Sequence, residues 1–199
     1  MNKIKYVGIT GNIGSGKTTI GKYLQNKGFF VFEADKFVST IYSSTKYKKT
    51  RQQIKSILPE CVKNNRLMKK CIKEIIFNNP EKKELLENII HPIVINEILK
   101  IKKKITQSKY KKHLCFFIIP LLYEKKLEYL FDEVWVIFSP ISISLKRIIQ
   151  RDKISEELAL KIMENQMNPL EKVKKADKLI INDKDLESLF NQVENLIIP

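Results

Sequence analysis

Near the N-terminus, the sequence contains a glycine-rich octapeptide whose residue types can bind phosphate. It runs Gly11-Asn12-Ile13-Gly14-Ser15-Gly16-Lys17-Thr18 and matches the pattern G-x-x-x-x-G-K-[ST]. Glycines at this spacing let successive backbone N–H groups turn toward phosphate oxygens. In such a loop the lysine places a positive charge on the β- and γ-phosphates, and the following hydroxyl ligates Mg²⁺. The octapeptide therefore predicts a site for ATP and Mg²⁺, with Lys17 and Thr18 in those two roles.

The flanking residues predict the elements that hold this loop. The apolar run at 4–9 indicates a buried strand, residues 16–26 indicate a helix that Gly28 ends, and residues 29–32 indicate a second strand. All six glycines of the chain lie between Gly8 and Gly28, so no other segment uses this residue. A strand, a loop, a helix and a strand within about thirty residues are typical of the start of a parallel α/β sheet.

The rest of the chain extends the same pattern. Residues 36–112 are mostly helical in periodicity, interrupted at Asn79-Pro80 and His91-Pro92. Further strands are predicted at 114–120, 134–138 and 179–181, and further helices at 143–151, 156–165 and 186–196. The predicted fold class is α/β, a three-layer sandwich around a parallel sheet. The glycine-rich octapeptide is its phosphate-binding loop, or P-loop.

A kinase built on this loop also needs a carboxylate for the attacking hydroxyl and cations for the transferring phosphoryl group. Asp35 follows the second predicted strand, although this position suits a helix N-cap equally well. Arg147 and Arg151 lie four residues apart on one helical face, and guanidinium geometry suits phosphate. The alternative is a surface pair in which Arg151 binds Asp152.

Several classes of protein are excluded. A GTPase would need a D-x-x-G after the loop, but no glycine follows Gly28, and N-K-x-D is absent. A chain of 199 residues is too short for a large motor ATPase, whereas a small kinase of the nucleotide-kinase type fits. No run approaches the roughly 20 apolar residues that span a bilayer, and the N-terminus lacks a signal-peptide pattern, so we expect a cytoplasmic protein.

Charge and cysteine content add two expectations. The net charge of +15 suggests nucleic-acid binding, because clustered cations bind phosphate backbones. However, 33 of the 37 basic residues are lysines, and these are spread along the chain. A genome rich in adenine and thymine would produce the same excess of lysine without any binding function. An anionic small substrate is also compatible with this charge. Three scattered cysteines without a CxxC motif predict reduced thiols, and neither a disulfide framework nor a zinc site.

Over almost its whole length, the sequence resembles the dephospho-CoA kinase family. The P-loop is found in many kinases, whereas the other segments that match this family occur in far fewer kinases. The resemblance runs through Gly8 to Thr19, Glu33-Ala34-Asp35, Ile76 to Glu81, Leu86 to Pro92, Pro120-Leu121-Leu122-Tyr123-Glu124, Leu145 to Asp152, Gln166-Met167, Ala176-Asp177 and Asn182.

This resemblance implies ATP-dependent phosphorylation of the ribose 3′-hydroxyl of 3′-dephospho-CoA, giving CoA and ADP. It places the general base on Asp35, the ATP loop on Gly11 to Thr19, the lid arginines on Arg147 and Arg151, and Asn182 near the adenine. Arg66, His91 and Glu124 fall on the dephospho-CoA side. It also implies a core at about 1–35, 113–140 and 176–199, a helical insertion at about 36–112 that binds the substrate, and a lid at about 141–175.

One departure from the family concerns the second residue of the loop, which is usually glycine and here is Asn12. Asparagine tolerates a positive φ, so we expect the loop to keep its conformation. Two alternatives stay open: another small-substrate kinase, such as one for a nucleoside monophosphate, and a basic nucleic-acid-binding protein that ATP regulates. We expect a monomer, with an oligomer left open.

Overall fold

A computed structural model describes residues 4–198 of the chain. The chain folds as two compact units. The sheet unit comprises the residues up to Glu33 and those from Tyr110 onward, and the helical unit comprises Ala34–Lys109. The division into core, insertion and lid stays a prediction.

The strands and helices follow one another in this order along the chain. The first half contains β1 (Lys5–Thr10), α1 (Lys17–Asn26), β2 (Phe30–Glu33), α2 (Ala34–Ile41), α3 (Lys48–Ile57), β3 (Val62–Lys63), β4 (Arg66–Leu67), α4 (Lys69–Asn78) and α5 (Pro80–Thr106). The second half contains β5 (Leu114–Ile118), β6 (Glu133–Phe138), α6 (Ile141–Asp152), α7 (Glu156–Glu164), α8 (Pro169–Lys174), β7 (Lys178–Ile181) and α9 (Leu186–Ile197).

The sheet unit is built on five parallel strands in the order β2–β5–β1–β6–β7. All five residues of β5 are buried, as expected of a central strand covered on both faces. Helices α1 and α9 pack on one face, where Ile20 and Val193 join a core that includes Ile9 and Trp135. On the other face, a side chain at Gly8 would collide with Leu122 and Phe131, so this glycine admits the segment that follows β5. The predicted α/β class with a parallel sheet is confirmed.

In the helical unit, α5 runs for 27 residues and contains Pro92 in its interior. The prediction of an interruption at His91-Pro92 is therefore wrong. A buried stripe at Leu86, Ile90, Val94 and Ile98 continues through the proline, and its burial outweighs the backbone hydrogen bond that the proline removes. The predicted boundary at Asn79-Pro80 is confirmed, because the Asn79 side chain accepts a hydrogen bond from the Lys82 N–H and Pro80 begins the helix.

A small hairpin interrupts the helices of this unit and was not predicted. Strands β3 and β4 pair antiparallel across Asn64 and Asn65, which both have positive φ as a tight hairpin turn requires. Cys61 and Cys71 flank the hairpin and form a disulfide with a Cα–Cα distance of 5.4 Å. The prediction of three reduced cysteines is wrong for this pair, because the hairpin brings together residues that the sequence spacing leaves apart. Cys115 is free, and burial raises the pKa of its thiol to about 11.

The positive charge is concentrated in the helical unit. Residues 34–109 carry 18 lysines and arginines against 7 acidic residues, a net charge of +11 out of the chain's +15. The lysines themselves are spread along the chain as expected, with 16 in the helical unit and 17 in the rest of the chain, and the helical unit has the higher net charge because it contains fewer acidic residues. Across residues 4–198, no helix combines the length and the hydropathy needed to span a bilayer.

Candidate active site

The glycine-rich octapeptide connects β1 to α1, at the carboxyl end of the strand that lies in the middle of the sheet. Gly11 and Gly16 have φ values of 149° and 104°. A Cβ atom at Gly11 would lie 2.3 Å from the carbonyl oxygen of Ile137, and one at Gly16 would lie 2.2 Å from Nδ2 of Asn182. The loop therefore needs glycine both for its backbone conformation and for its close approach to the ends of two neighbouring strands.

Lys17 folds back over the first half of this loop. Its Nζ donates hydrogen bonds to the carbonyl oxygens of Gly11 at 2.8 Å and Asn12 at 2.9 Å. Ser15 is buried, and its Oγ has no hydrogen-bond partner among the described residues. A buried hydroxyl without a partner is costly, so the loop has a polar group to offer to a ligand. The donor set and the glycine cradle both fit a nucleoside triphosphate.

Arg147, from α6, meets this loop. Its guanidinium donates to the carbonyl oxygens of Gly14 at 3.4 Å and Asn182 at 3.3 Å, and to Oγ of Ser139 at 3.2 Å. A further bond of 3.1 Å joins it to Oδ1 of Asn182. Asn182 is buried, and its Nδ2 donates to the carbonyl oxygen of Ser15 at 2.7 Å. The structure therefore joins three sequence-distant segments, namely the P-loop, α6 and the residue after β7.

Arg151 lies one helical turn further along α6 and has a different environment. Its guanidinium binds both carboxylate oxygens of Asp152, at 2.8 and 2.7 Å, and the pair is exposed. This is the local surface pairing that the sequence left open as an alternative. The two arginines thus share a helix but not a set of contacts.

Asn12 does not have the positive φ that we expected asparagine to accommodate at this position. The non-glycine residues with positive φ in the described chain are Asn64, Asn65, Lys126 and Lys153, and Asn12 is not among them. Its buried side chain donates instead from Nδ2 to the carbonyl oxygen of Met167 at 2.9 Å. The expected reason is therefore wrong, since Asn12 contributes a side-chain contact that glycine could not make.

Helix α2 begins directly after the end of β2, and Asp35 is its second residue. It is therefore not the N-cap residue, although a carboxylate in the first turn still interacts favourably with the helix dipole. Within the helical unit, burial raises the pKa of Tyr42 to about 12, and the charge of Asp35 adds to this effect.

The other predicted substrate residues lie in separate parts of the chain. In the helical unit, Arg66 is exposed on β4 and lines an open groove of about 550 Å³ with Lys63, Asn64 and Met68, while His91 lies half-buried within α5. In the sheet unit, Glu124 has one oxygen, Oε1, that accepts from the Met167 N–H at 3.0 Å and from Lys172 Nζ at 2.8 Å.

Sequence reasoning missed Ser139 and Lys172. Ser139 is a buried partner of Arg147, and nothing in its spacing pointed to that contact. Lys172 is fully buried, yet among 33 lysines its sequence context gives no sign of burial. The contact of Lys172 with Glu124 joins segments far apart in sequence, whereas Ser139 lies only eight residues before Arg147.

A phosphate-binding loop between the first strand and first helix of a parallel sheet, contacted by an arginine from a later helix, defines the class of P-loop kinases. Comparison with known proteins narrows the class. The family model described as dephospho-CoA kinase matches residues 5–188. The dephospho-CoA kinase of Fusobacterium nucleatum is 42% identical over 193 residues, which cover 96% of each chain.

Two solved structures resemble this chain over almost its whole length, and the second of them is a dephospho-CoA kinase. A crystal structure from Thermus thermophilus has a TM-score of 0.81 at 28% identity, covering 98% of this chain and 96% of the other. The dephospho-CoA kinase from Campylobacter jejuni has a TM-score of 0.66 at 30% identity, with coverage of 96% and 94%. The chain belongs to the dephospho-CoA kinase family, whose members are transferases that catalyse the last step of coenzyme A biosynthesis.

Proposed function

We propose that this chain transfers the γ-phosphoryl group of ATP to the ribose 3′-hydroxyl of 3′-dephospho-CoA. The hydroxyl oxygen forms a bond to the γ-phosphorus, the bond to the β–γ bridging oxygen breaks, and ADP leaves. The hydroxyl proton passes to Asp35. The observation that carries the proposal is the contact of Arg147 with the P-loop, in a chain that matches the family model over residues 5–188.

ATP would bind along the loop from Gly11 to Thr19. The Lys17 ammonium, which now binds two carbonyl oxygens of the loop, would turn to the β- and γ-phosphates. Thr18 is exposed at the start of α1, where its hydroxyl would hold Mg²⁺. When bound, that ion neutralises charge on the phosphates.

Arg147 and Asn182 would act together. The guanidinium of Arg147 is already oriented by Asn182 and Ser139, so it would stabilise the transferring phosphoryl group without reorganising. We propose Asn182 as the residue that aligns Arg147 with Ser15 of the loop, beside its predicted place near the adenine. Arg151 would join the site only after leaving Asp152.

The helical unit would bind dephospho-CoA. Its net charge of +11 suits a substrate that carries a diphosphate, and Arg66 lies on a groove with a second cation, Lys63. We propose Arg66 and His91 as substrate residues of this unit. The cytoplasmic location and the monomeric state stay predictions.

Replacing Lys17 by Ala is expected to weaken ATP binding by about 10- to 100-fold, because a charge-assisted bond to phosphate is lost. Calorimetric titration with ATP and Mg²⁺ measures this directly. The matched control is Lys111→Ala. Lys111 is exposed and precedes the amino end of β5, whereas the loop follows the carboxyl end of β1. Equal ATP affinity in the Lys17 variant and the wild type would contradict the assignment of the loop.

The proposed function is tested by ADP release with ATP and Mg²⁺ in the presence of different acceptors. We expect ADP with 3′-dephospho-CoA, and background release with AMP, CMP, dTMP or no acceptor. Turnover of a monophosphate instead would favour a nucleoside monophosphate kinase. ATP binding without turnover of any acceptor, together with salt-dependent binding to DNA or RNA, would favour the nucleic-acid-binding alternative.

A further inference from the structure

The connection between α7 and α8 contacts the first half of the P-loop. Oε1 of Gln166 accepts a hydrogen bond from the Ile13 N–H at 2.8 Å, and the carbonyl oxygen of Met167 accepts from Nδ2 of Asn12 at 2.9 Å. Two neighbouring residues of the loop are therefore each held by one of two neighbouring residues of the connection. Neither contact involves the loop's glycines or Lys17.

This connection is anchored in turn by a buried ion pair. Oε1 of Glu124 accepts from the Met167 N–H at 3.0 Å and from Nζ of Lys172 at 2.8 Å. Nζ of Lys172 also lies 3.3 Å from the carbonyl oxygen of Pro120, which accepts from the Thr10 hydroxyl at 3.1 Å. Thr10 directly precedes Gly11, so the contacts return to the start of the loop from which they began.

The burial of this pair indicates a role in geometry. The Lys172 side chain has no solvent-exposed surface, and the Glu124 side chain is 16% exposed. Burial lowers the pKa of Lys172, and the bond to Glu124 opposes this effect. Replacing a buried ion pair with apolar residues is often neutral or stabilising. What this pair supplies beyond stability is a fixed acceptor for the Met167 N–H.

We propose that Gln166 is a positioning residue for the phosphates of ATP, and that Glu124 and Lys172 support it by holding its neighbour Met167. The ion pair holds the Met167 N–H, while Met167 and Gln166 hold Asn12 and Ile13. These contacts set the shape of the part of the glycine-rich loop that follows. This inference rests on the proposed binding of ATP by the P-loop. It assigns Glu124 to the nucleotide side of the reaction, whereas the resemblance placed it on the dephospho-CoA side.

The first test replaces Gln166 by Ala, with Gln150→Ala as the matched control, because Gln150 is exposed on α6 of the same unit. Losing one partly buried hydrogen bond to the loop is expected to raise the KM for ATP and the calorimetric Kd for ATP by about 5- to 10-fold. The KM for dephospho-CoA should not change. Unchanged or tighter ATP binding in Gln166→Ala would overturn the proposal.

A second pair of variants tests the anchor. Glu124→Ala should raise the KM for ATP as Gln166→Ala does. The double variant Glu124→Gln with Lys172→Met removes both charges but keeps an acceptor for the Met167 N–H, so it should return the KM for ATP to near the wild-type value. Should Glu124→Ala not fold, the double variant and Gln166→Ala still decide the question.

The outcomes separate this proposal from a direct substrate role. A rise in the KM for dephospho-CoA in Glu124→Ala, with the KM for ATP unchanged, would show that Glu124 contacts the acceptor and would overturn the proposal. Calorimetry with ATP alone does not depend on the identity of the acceptor. A failure of the proposed phosphoryl transfer would therefore leave the effect of Gln166 on ATP binding measurable.

Discussion

Replacing Asp35 by Asn is expected to lower kcat by about 10²- to 10⁴-fold while leaving ATP affinity near that of the wild type. The carboxamide keeps the size of the carboxylate but cannot accept the proton of the attacking hydroxyl, and a positioned general base contributes a factor of this size. Asp35 lies in the first turn of α2, outside the loop that would bind ATP. Steady-state kinetics and ATP calorimetry on the same sample measure the two quantities.

Glu84→Gln is the matched control for this variant. It makes the same chemical change at an exposed position of α5 in the same helical unit. We expect wild-type kcat and melting temperature in the control, and a melting temperature lowered by no more than a few degrees in Asp35→Asn, because its helix dipole loses a carboxylate. A folded Asp35→Asn enzyme with wild-type kcat would remove Asp35 from the mechanism.

Replacing Arg147 by Ala is expected to lower kcat by about 10²- to 10³-fold, the cost of removing one oriented charge donor from a phosphoryl-transfer site. Its guanidinium contacts Gly14 of the loop and is held by Ser139 and Asn182, so it is already oriented beside the loop that would bind the phosphates. Kinetics at saturating ATP separate this loss from weaker nucleotide binding.

Arg151→Ala is the matched control for Arg147→Ala, because it removes the other arginine of the same helix. The Arg151 side chain pairs with Asp152 at the surface, so we expect a loss at least tenfold smaller than for Arg147→Ala. A larger loss for Arg151 than for Arg147 would mean that the closed enzyme brings Arg151 onto the phosphates. That result would contradict the assignment of the charge donor to Arg147.

Local sequence patterns predicted the features that depend on neighbouring residues. The central strands were recognisable because strands buried on both faces form continuous apolar runs, as 114–118 and 134–137 do. The octapeptide was recognisable because its positions 11, 14 and 16 require glycine, since a Cβ atom at any of them would lie less than 3 Å from a neighbouring atom. The family resemblance then supplied expectations about residues far apart in sequence.

Features that depend on distant contacts could not be predicted in this way. The strands of the β3–β4 hairpin have two residues each, too few for an alternating pattern, and the Cys61–Cys71 disulfide depends on that hairpin. Helical spacing places Arg147 and Arg151 on one face, and only their contacts in the folded chain distinguish them, with Gly14 and Asn182 for Arg147 and with Asp152 for Arg151. The burial of Lys172 follows from Glu124, 48 positions earlier in the chain, a pairing that no local pattern encodes.

The central claim is that phosphate is transferred from ATP to the 3′-hydroxyl of dephospho-CoA at this site. The most direct measurement is identification of the product formed by the wild-type enzyme and by Asp35→Asn, using mass spectrometry and ³¹P–¹H correlation NMR. We predict a product with the mass of CoA whose new phosphorus couples to the ribose H3′, formed by the wild type and nearly absent with the variant. A phosphate on any other oxygen, or equal amounts of product from both proteins, would contradict the claim.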